Sequence, residues 1–264
     1  MKERLKFMNF FRSMPDFIII GCQKSGTTSL YNYLISHPDI MPSSNKEIHF
    51  FDNNYSKGVN WYKSHFPVVR NGKMTGEASP YYIYHPHAAE RLYQTLPDVK
   101  LIIMLRNPVY RAYSHYNHNL KKKRENLSFS DAISKESERL SLDFNRLMTE
   151  KNYYSYNHQH YSYISRGIYI DQLQIWEKYF PRDQMYIIKS EEFYGNSKPI
   201  FYGVIKFLGL QEYDFNISKI YNQGRYANDI DKETRDRLHE FYAPYNEKLY
   251  RHVDRDFHWN INDN

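Results

Sequence analysis

Apolar positions along this chain fall in short unbroken runs, separated by stretches with helical spacing. Residues 17–20 (FIII) and 100–106 (KLIIMLR) are dense in β-branched and aliphatic side chains, which predicts strands buried on both faces. Residues 73–77 and 184–189 (QMYIIK) predict two further strands. The stretch after Gly26 places Leu30, Tyr33 and Leu34 on one helical face and stops near His37-Pro38. Residues 86–96 predict a helix with Ala89, Leu92 and Leu96 inward and Pro97 beyond its end. Residues 109–120 predict another, entered through Asn107-Pro108 and leaving into the basic run 121–124.

Further along, 129–147 predicts one polar-faced helix, 168–180 an amphipathic helix, and 200–208 (IFYGVIKFL) a helix stopped by Gly209. Residues 232–242 and 245–253 predict a C-terminal helical region. Residues 152–165 (NYYSYNHQHYSYIS) have no usable period and predict a surface loop, either an ordinary connector or a platform on which sugar rings stack. Strands alternating with helices define the expected fold class: α/β, a P-loop-like central parallel sheet flanked by helices, in a single domain. Ligands of such sheets gather at the carboxyl ends of the strands. The domain is expected over 16–264, after a basic leader at 1–15.

Composition refines this only in part. Lysine and arginine exceed aspartate and glutamate by six among 264 residues, which favours anionic ligands without naming them. There is no helix-turn-helix, zinc-finger or RNP-like pattern, so nucleic acid is not an expected partner. The single cysteine, Cys22, forms no internal disulfide and fits a reducing compartment. The longest apolar runs fall far short of the ~20 residues of a membrane span. The leader lacks the apolar core of a signal peptide, so a cytoplasmic location is the expectation.

The chemistry concentrates directly after the first strand, in Gly21-Cys22-Gln23-Lys24-Ser25-Gly26-Thr27-Thr28-Ser29. A strand, a glycine-bearing turn and a helix start make a phosphate cradle, because backbone N–H groups converge where the helix carries partial positive charge. The nucleotide P-loop is G-x-x-x-x-G-K-[ST]. Gly21, Gly26 and Thr28 fit it, but Thr27 stands where the lysine belongs and the loop's cation is Lys24. A kinase needs that lysine, with magnesium, on highly charged terminal phosphates. A sulfuryl group carries one negative charge against two for a phosphoryl. The loop therefore reads as a cradle for a nucleotide phosphosulfate, with Lys24 beside the bridging oxygen.

The loop resembles the 5′-phosphosulfate loop of the PAPS-dependent sulfotransferases. Residues 46–52 (KEIHFFD) resemble the signature of the heparan sulfate N- and 3-O-sulfotransferase branch, and Tyr55, Gly58, Trp61, Tyr62, Phe66 and Pro67 continue it. The segment LRNPVYRAYS resembles the family's 3′-phosphate segment, which assigns Arg106 and Ser114 to that phosphate and leaves Arg111 structural. Gln223-Gly224-Arg225-Tyr226-Ala227 resembles the late loop that closes on the donor, though glutamine replaces its usual lysine.

By the same resemblance Glu47 is the general base, with His49 and Asp52 supporting it; side chains two apart on an extended segment point the same way. The bland alternative is a surface carboxylate paired with Lys46. Where relatives carry E-K-[ST] this chain has Glu77-Ala78-Ser79, so the acceptor need not be a heparan-type sugar.

The resemblance implies transfer of a sulfuryl group from PAPS to a hydroxyl or amine, on a saccharide or glycoconjugate, without a metal. His158 and His160 alone make no metal site. Two rival readings remain at this point: a P-loop kinase or NTPase, and a non-catalytic nucleotide- or polyanion-binding module of the same fold.

Overall fold

A computed structural model of the chain describes residues 12–68, 72–213 and 229–259. In chain order the elements begin β1 (Phe17–Gly21), α1 (Thr27–Leu34), β2 (Ile40–Pro42), α2 (Val59–Lys63), β3 (Met74–Ala78), α3 (Ala88–Thr95) and β4 (Lys100–Leu105). They continue with α4 (Pro108–Lys121), α5 (Phe129–Ser134), α6 (Glu136–Ser141), α7 (Phe144–Thr149), α8 (Tyr156–His160) and α9 (Tyr169–Glu177). The last are β5 (Met185–Lys189), α10 (Ser190–Gly195), α11 (Ser197–Leu208) and α12 (Lys232–Val253). Two compact units emerge: residues 1–105 with 177–222, and 106–176 with 223–264.

The first unit holds the sheet. Its order is β2-β3-β1-β4-β5 and all four pairings are parallel. Each return to a parallel neighbour needs a crossover, which is why strands and helices alternate in sequence. β1 is buried throughout, as a strand covered on both faces must be. Phe17 and Ile19 share one face with Ile102 and Met104, and there they pack with Leu30 and Leu34 of α1 and Phe201, Val204 and Leu208 of α11.

The second unit centres on α4. Asn107 caps it, its Oδ1 accepting the Val109 N–H at 3.0 Å, and Pro108 starts its first turn without losing a needed donor. Val109, Ala112, Tyr113 and Tyr116 pack with Phe129, Ile133, Tyr163, Leu238 and Tyr242.

Three expectations meet the structure here, two of them as corrections. The single helix over 129–147 is broken into α5, α6 and α7. Asp143 leaves helical geometry between α6 and α7, where its carboxylate accepts from Ser155 Oγ at 2.9 Å and Tyr153 Oη at 3.3 Å. Second, the C-terminal helical region is a single helix, α12, which runs through Pro244 with Leu238, Tyr242 and Leu249 buried on either side. Packing of that face outweighs the hydrogen bond that proline cannot donate.

Third, 152–165 is no surface loop. Ser162 and Tyr163 are fully buried and His158 nearly so, while Tyr154 and Tyr156 keep exposed rings. Tyrosine tolerates this burial because its hydroxyl finds partners. Tyr163 Oη donates to Glu125 at 2.9 Å and accepts from Asn119 at 3.0 Å.

Candidate functional site

The phosphate cradle follows β1 and opens α1, as expected. Gly21 is required by close approach: a Cβ there would stand 2.4 Å from Ile83 Cγ2. Lys24 has φ of 74° and Gly26 φ of 97°, both in the left-handed region. For a lysine that conformation costs about 1–2 kcal/mol, so the surroundings must hold it there. These left-handed residues flank Ser25, whose N–H donates to the Cys22 carbonyl at 3.2 Å and closes the turn.

Gly26 also begins α1 without any side-chain cap, which leaves the helix's amino end to other partners. Behind the loop, Ser190 at the start of α10 donates to the Ser25 carbonyl at 2.8 Å. Ser25, Thr27 and Ser29 are buried, and Ser25 Oγ has no hydrogen-bond partner among the described residues. A buried hydroxyl with no partner is costly unless a polar ligand meets it. The loop's composition therefore fits a phosphate-type group.

The second constellation is the turn after β2. His49 takes the left-handed conformation, φ 53°, so Glu47 and His49 do not lie on a strand as expected. They meet nevertheless. Glu47 Oε2 lies 3.4 Å from His49 Nε2, and His49 Nδ1 lies 2.6 Å from Asp52 Oδ2. Lys46 Nζ holds the other Glu47 oxygen at 2.5 Å. Asp52 is fixed in turn: its side chain is buried and Arg91 donates to the Phe51 and Asp52 carbonyls at 2.8 and 3.0 Å.

The electrostatics follow from this row of alternating charge. Burial opposes the imidazolium of His49, but hydrogen bonds and charge from Asp52 and Glu47 outweigh it and raise its pKa to about 10. Burial likewise opposes the Glu47 carboxylate, and His49 and Lys46 overcome it, holding the carboxyl at about 2. At neutral pH Glu47 is therefore an anion and His49 a cation. The bland reading, a Glu47–Lys46 pair, and the catalytic reading thus coexist in one arrangement.

Cradle and charge row share one sheet edge within the first unit. The Ala78 N–H at the end of β3 donates to the Lys46 carbonyl at 3.1 Å, and the next N–H, Ser79, donates to Ile19 of β1 at 3.1 Å. β3 and β1 are direct neighbours in register Ile19↔Ala78.

Arg106 and Ser114 belong to the second unit. Arg106 opens it, directly after β4, with its carbonyl accepting from Tyr169 Oη at 2.7 Å. Ser114 is buried on α4, eight residues on. Arg111 is fully buried and donates to the Tyr163 carbonyl, in keeping with a structural role. The late loop, Gln223 to Ala227, lies outside the described residues. Among the described residues no group of three or more metal-ligating side chains occurs, and no helix is long and apolar enough to cross a membrane.

Comparison with known proteins agrees with this geometry. The sulfotransferase-domain family model matches residues 14–248. The chain is 30% identical to human heparan sulfate glucosamine 3-O-sulfotransferase 5, over 98% of this chain and 78% of that protein. It is 29% identical to the membrane-associated sulfotransferase kil1 of Dictyostelium discoideum, over 93% of this chain and 66% of the relative. Among solved structures, a sulfotransferase from Alicyclobacillus acidocaldarius superposes with a TM-score of 0.77 at 30% identity, covering 94% of this chain and all of that one.

Proposed function

Because the chain belongs to the sulfotransferase family, we propose that it moves a sulfuryl group from PAPS to a hydroxyl or amine of a saccharide or glycoconjugate. Family membership replaces the kinase reading. PAPS, when bound, supplies the sulfuryl group and leaves as adenosine 3′,5′-bisphosphate. Lys24, Ser25, Gly26, Thr27, Thr28 and Ser29 would hold its 5′ side, and Arg106 and Ser114 its 3′-phosphate. Gln223, Gly224, Arg225, Tyr226 and Ala227 are assigned to the donor by sequence alone.

One observation carries the reading: an ionised carboxylate, Glu47, sits between two cations at the sheet edge that also carries the anion cradle. A positioned carboxylate can take the proton that the acceptor loses as it attacks sulfur. His49 steadies Glu47, and Asp52 fixes the orientation of the imidazole. Lys24 would offset the charge that builds on the departing phosphate oxygen. The saccharide class is favoured because the curated relatives include heparan sulfate 3-O-sulfotransferases. Ala78, where a lysine is common in such relatives, leaves room for a less anionic sugar.

The test is to incubate the purified protein with labelled PAPS and a panel of glycans, glycolipids and small phenols. Label on a sugar supports the proposal. Label on phenols alone would overturn the saccharide assignment. Bisphosphate binding with no transfer to any acceptor would favour the non-catalytic module.

A further inference from the structure

Glu77 is the most deeply placed carboxylate in the first unit, and nothing in the chemistry above uses it. It lies on β3 and is fully buried. Three hydroxyls converge on it: Tyr62 Oη at 2.7 Å and Tyr82 Oη at 3.1 Å on Oε1, and Ser79 Oγ at 2.7 Å on Oε2. Two of those hydroxyls face the turn that carries the base. Ser79 Oγ accepts the His49 N–H at 3.2 Å, and Tyr82 Oη accepts the Phe50 N–H at 2.8 Å.

Direction is the informative part. A hydroxyl has one proton to give. An ionised carboxylate only accepts, so it draws the protons of Ser79 and Tyr82 toward itself and leaves their lone pairs aimed at the two backbone N–H groups. Those N–H groups belong to the residue that adopts the costly left-handed conformation and to its successor. The buried carboxylate therefore sets the polarity of two relays, Glu77–Ser79–His49 and Glu77–Tyr82–Phe50.

We propose that Glu77 is a positioning residue for sulfuryl transfer: through Ser79 and Tyr82 it holds the His49 turn in the geometry that puts His49 against Glu47. This rests on the reading of Glu47 as the base. Burial raises the Glu77 pKa to about 7, with Ser79, Tyr62 and Tyr82 and the His49 charge working the other way. The groups facing it are these three hydroxyls, the His49 imidazolium and the Tyr31 phenol. Losing the carboxylate's acceptor-only character, by protonation or by substitution, lets one hydroxyl turn its proton away from Glu77 and toward a backbone N–H.

Glu77→Gln tests this because it keeps the size and turns an acceptor into a donor. Turnover of PAPS should fall about ten- to hundredfold, since small displacements of a reacting group are costly. The KM for PAPS and the thermal shift given by the bisphosphate should stay as in the parent. In a Glu47→Gln background the same substitution should cost almost nothing more, because both changes act through one proton transfer. An equal further loss in that background, or full activity of Glu77→Gln alone, would overturn the proposal.

Amide hydrogen exchange supplies an arm independent of catalysis. His49 and Phe50 should lose protection in Glu77→Gln while the β1 amides keep theirs, and unchanged protection at both would equally overturn it. Should the parent transfer no sulfuryl group, the base assignment itself fails, and exchange alone decides whether Glu77 holds the turn. If Glu77→Gln does not fold, Ser79→Ala and Tyr82→Phe each remove one relay and are read the same way.

Discussion

Asp52 Oδ2 lies 2.6 Å from His49 Nδ1, and the Asp52 side chain is buried while the imidazole is partly open. The inner partner is thus the fixed one, and the outer partner takes its orientation and its charge from it. His49 has a folded-state pKa of about 10 against an ordinary 6.5. Its stabilisation is fully present below 6.5 and is lost as pH rises through about 10. The melting temperature of the parent should decline across that window, and Asp52→Asn should show a shallower decline from a lower start. Identical slopes would mean that the pair does not hold the proton.

Lys46 acts on the Glu47 carboxylate, the proposed base, from the other side. With Lys46→Met one cation leaves Glu47, so its pKa moves up from about 2 and the acid limb of the kcat/KM profile moves to higher pH. A limb that stays in place would mean that another group titrates.

Glu47→Gln should lower kcat about 10²- to 10⁴-fold, the usual range for a lost general base. Bisphosphate binding, read by thermal shift, should stay unchanged. Retained turnover would remove Glu47 from the chemistry.

For Lys24→Ala the expected loss is about a hundredfold or more in kcat, the scale seen when a charge-stabilising donor is deleted. The strain at φ 74° should be unchanged, because alanine keeps the Cβ that causes it, so fold stability should stay close to the parent's. Equal turnover would end the leaving-group role.

Gly26→Ala acts on the backbone instead. A side chain at φ 97° costs about 1–2 kcal/mol, and its Cβ would also stand 2.6 Å from the tip of the Tyr194 side chain. Urea denaturation should report the cost, and the thermal shift given by the bisphosphate should shrink with it.

Much of this was legible in the chain itself. β1 and β4 announced themselves because parallel strands buried on both faces read as unbroken apolar runs, and β5, an edge strand with only Met185 and Ile188 buried, still carries a short apolar run. β2 did not: it has three residues, ends on Pro42, and only Ile40 is buried, so no pattern could build. The cradle and residues 46–52 were visible because they are contiguous.

What tied them together was not visible. Glu77 stood out only for the lysine missing beside it, while its partners Tyr62 and Tyr82 lie 15 and 5 residues away and become neighbours only through the fold. The Tyr- and His-rich stretch misled for a related reason. Polar tips look like surface until each one finds a partner, as Tyr163 does in Glu125 and Asn119.

The pairing of β1 with β3 has a mechanical consequence. The loop after Gly21 is the continuation of one strand, and the charge row hangs from the end of the strand beside it, so a ladder of backbone bonds sets the distance between the two. Slipping that ladder by one residue would displace one half by about 3.3 Å, comparable to the whole span of a forming and a breaking bond. A change of acceptor can therefore rework the side chains above this edge, as long as the two strands keep step.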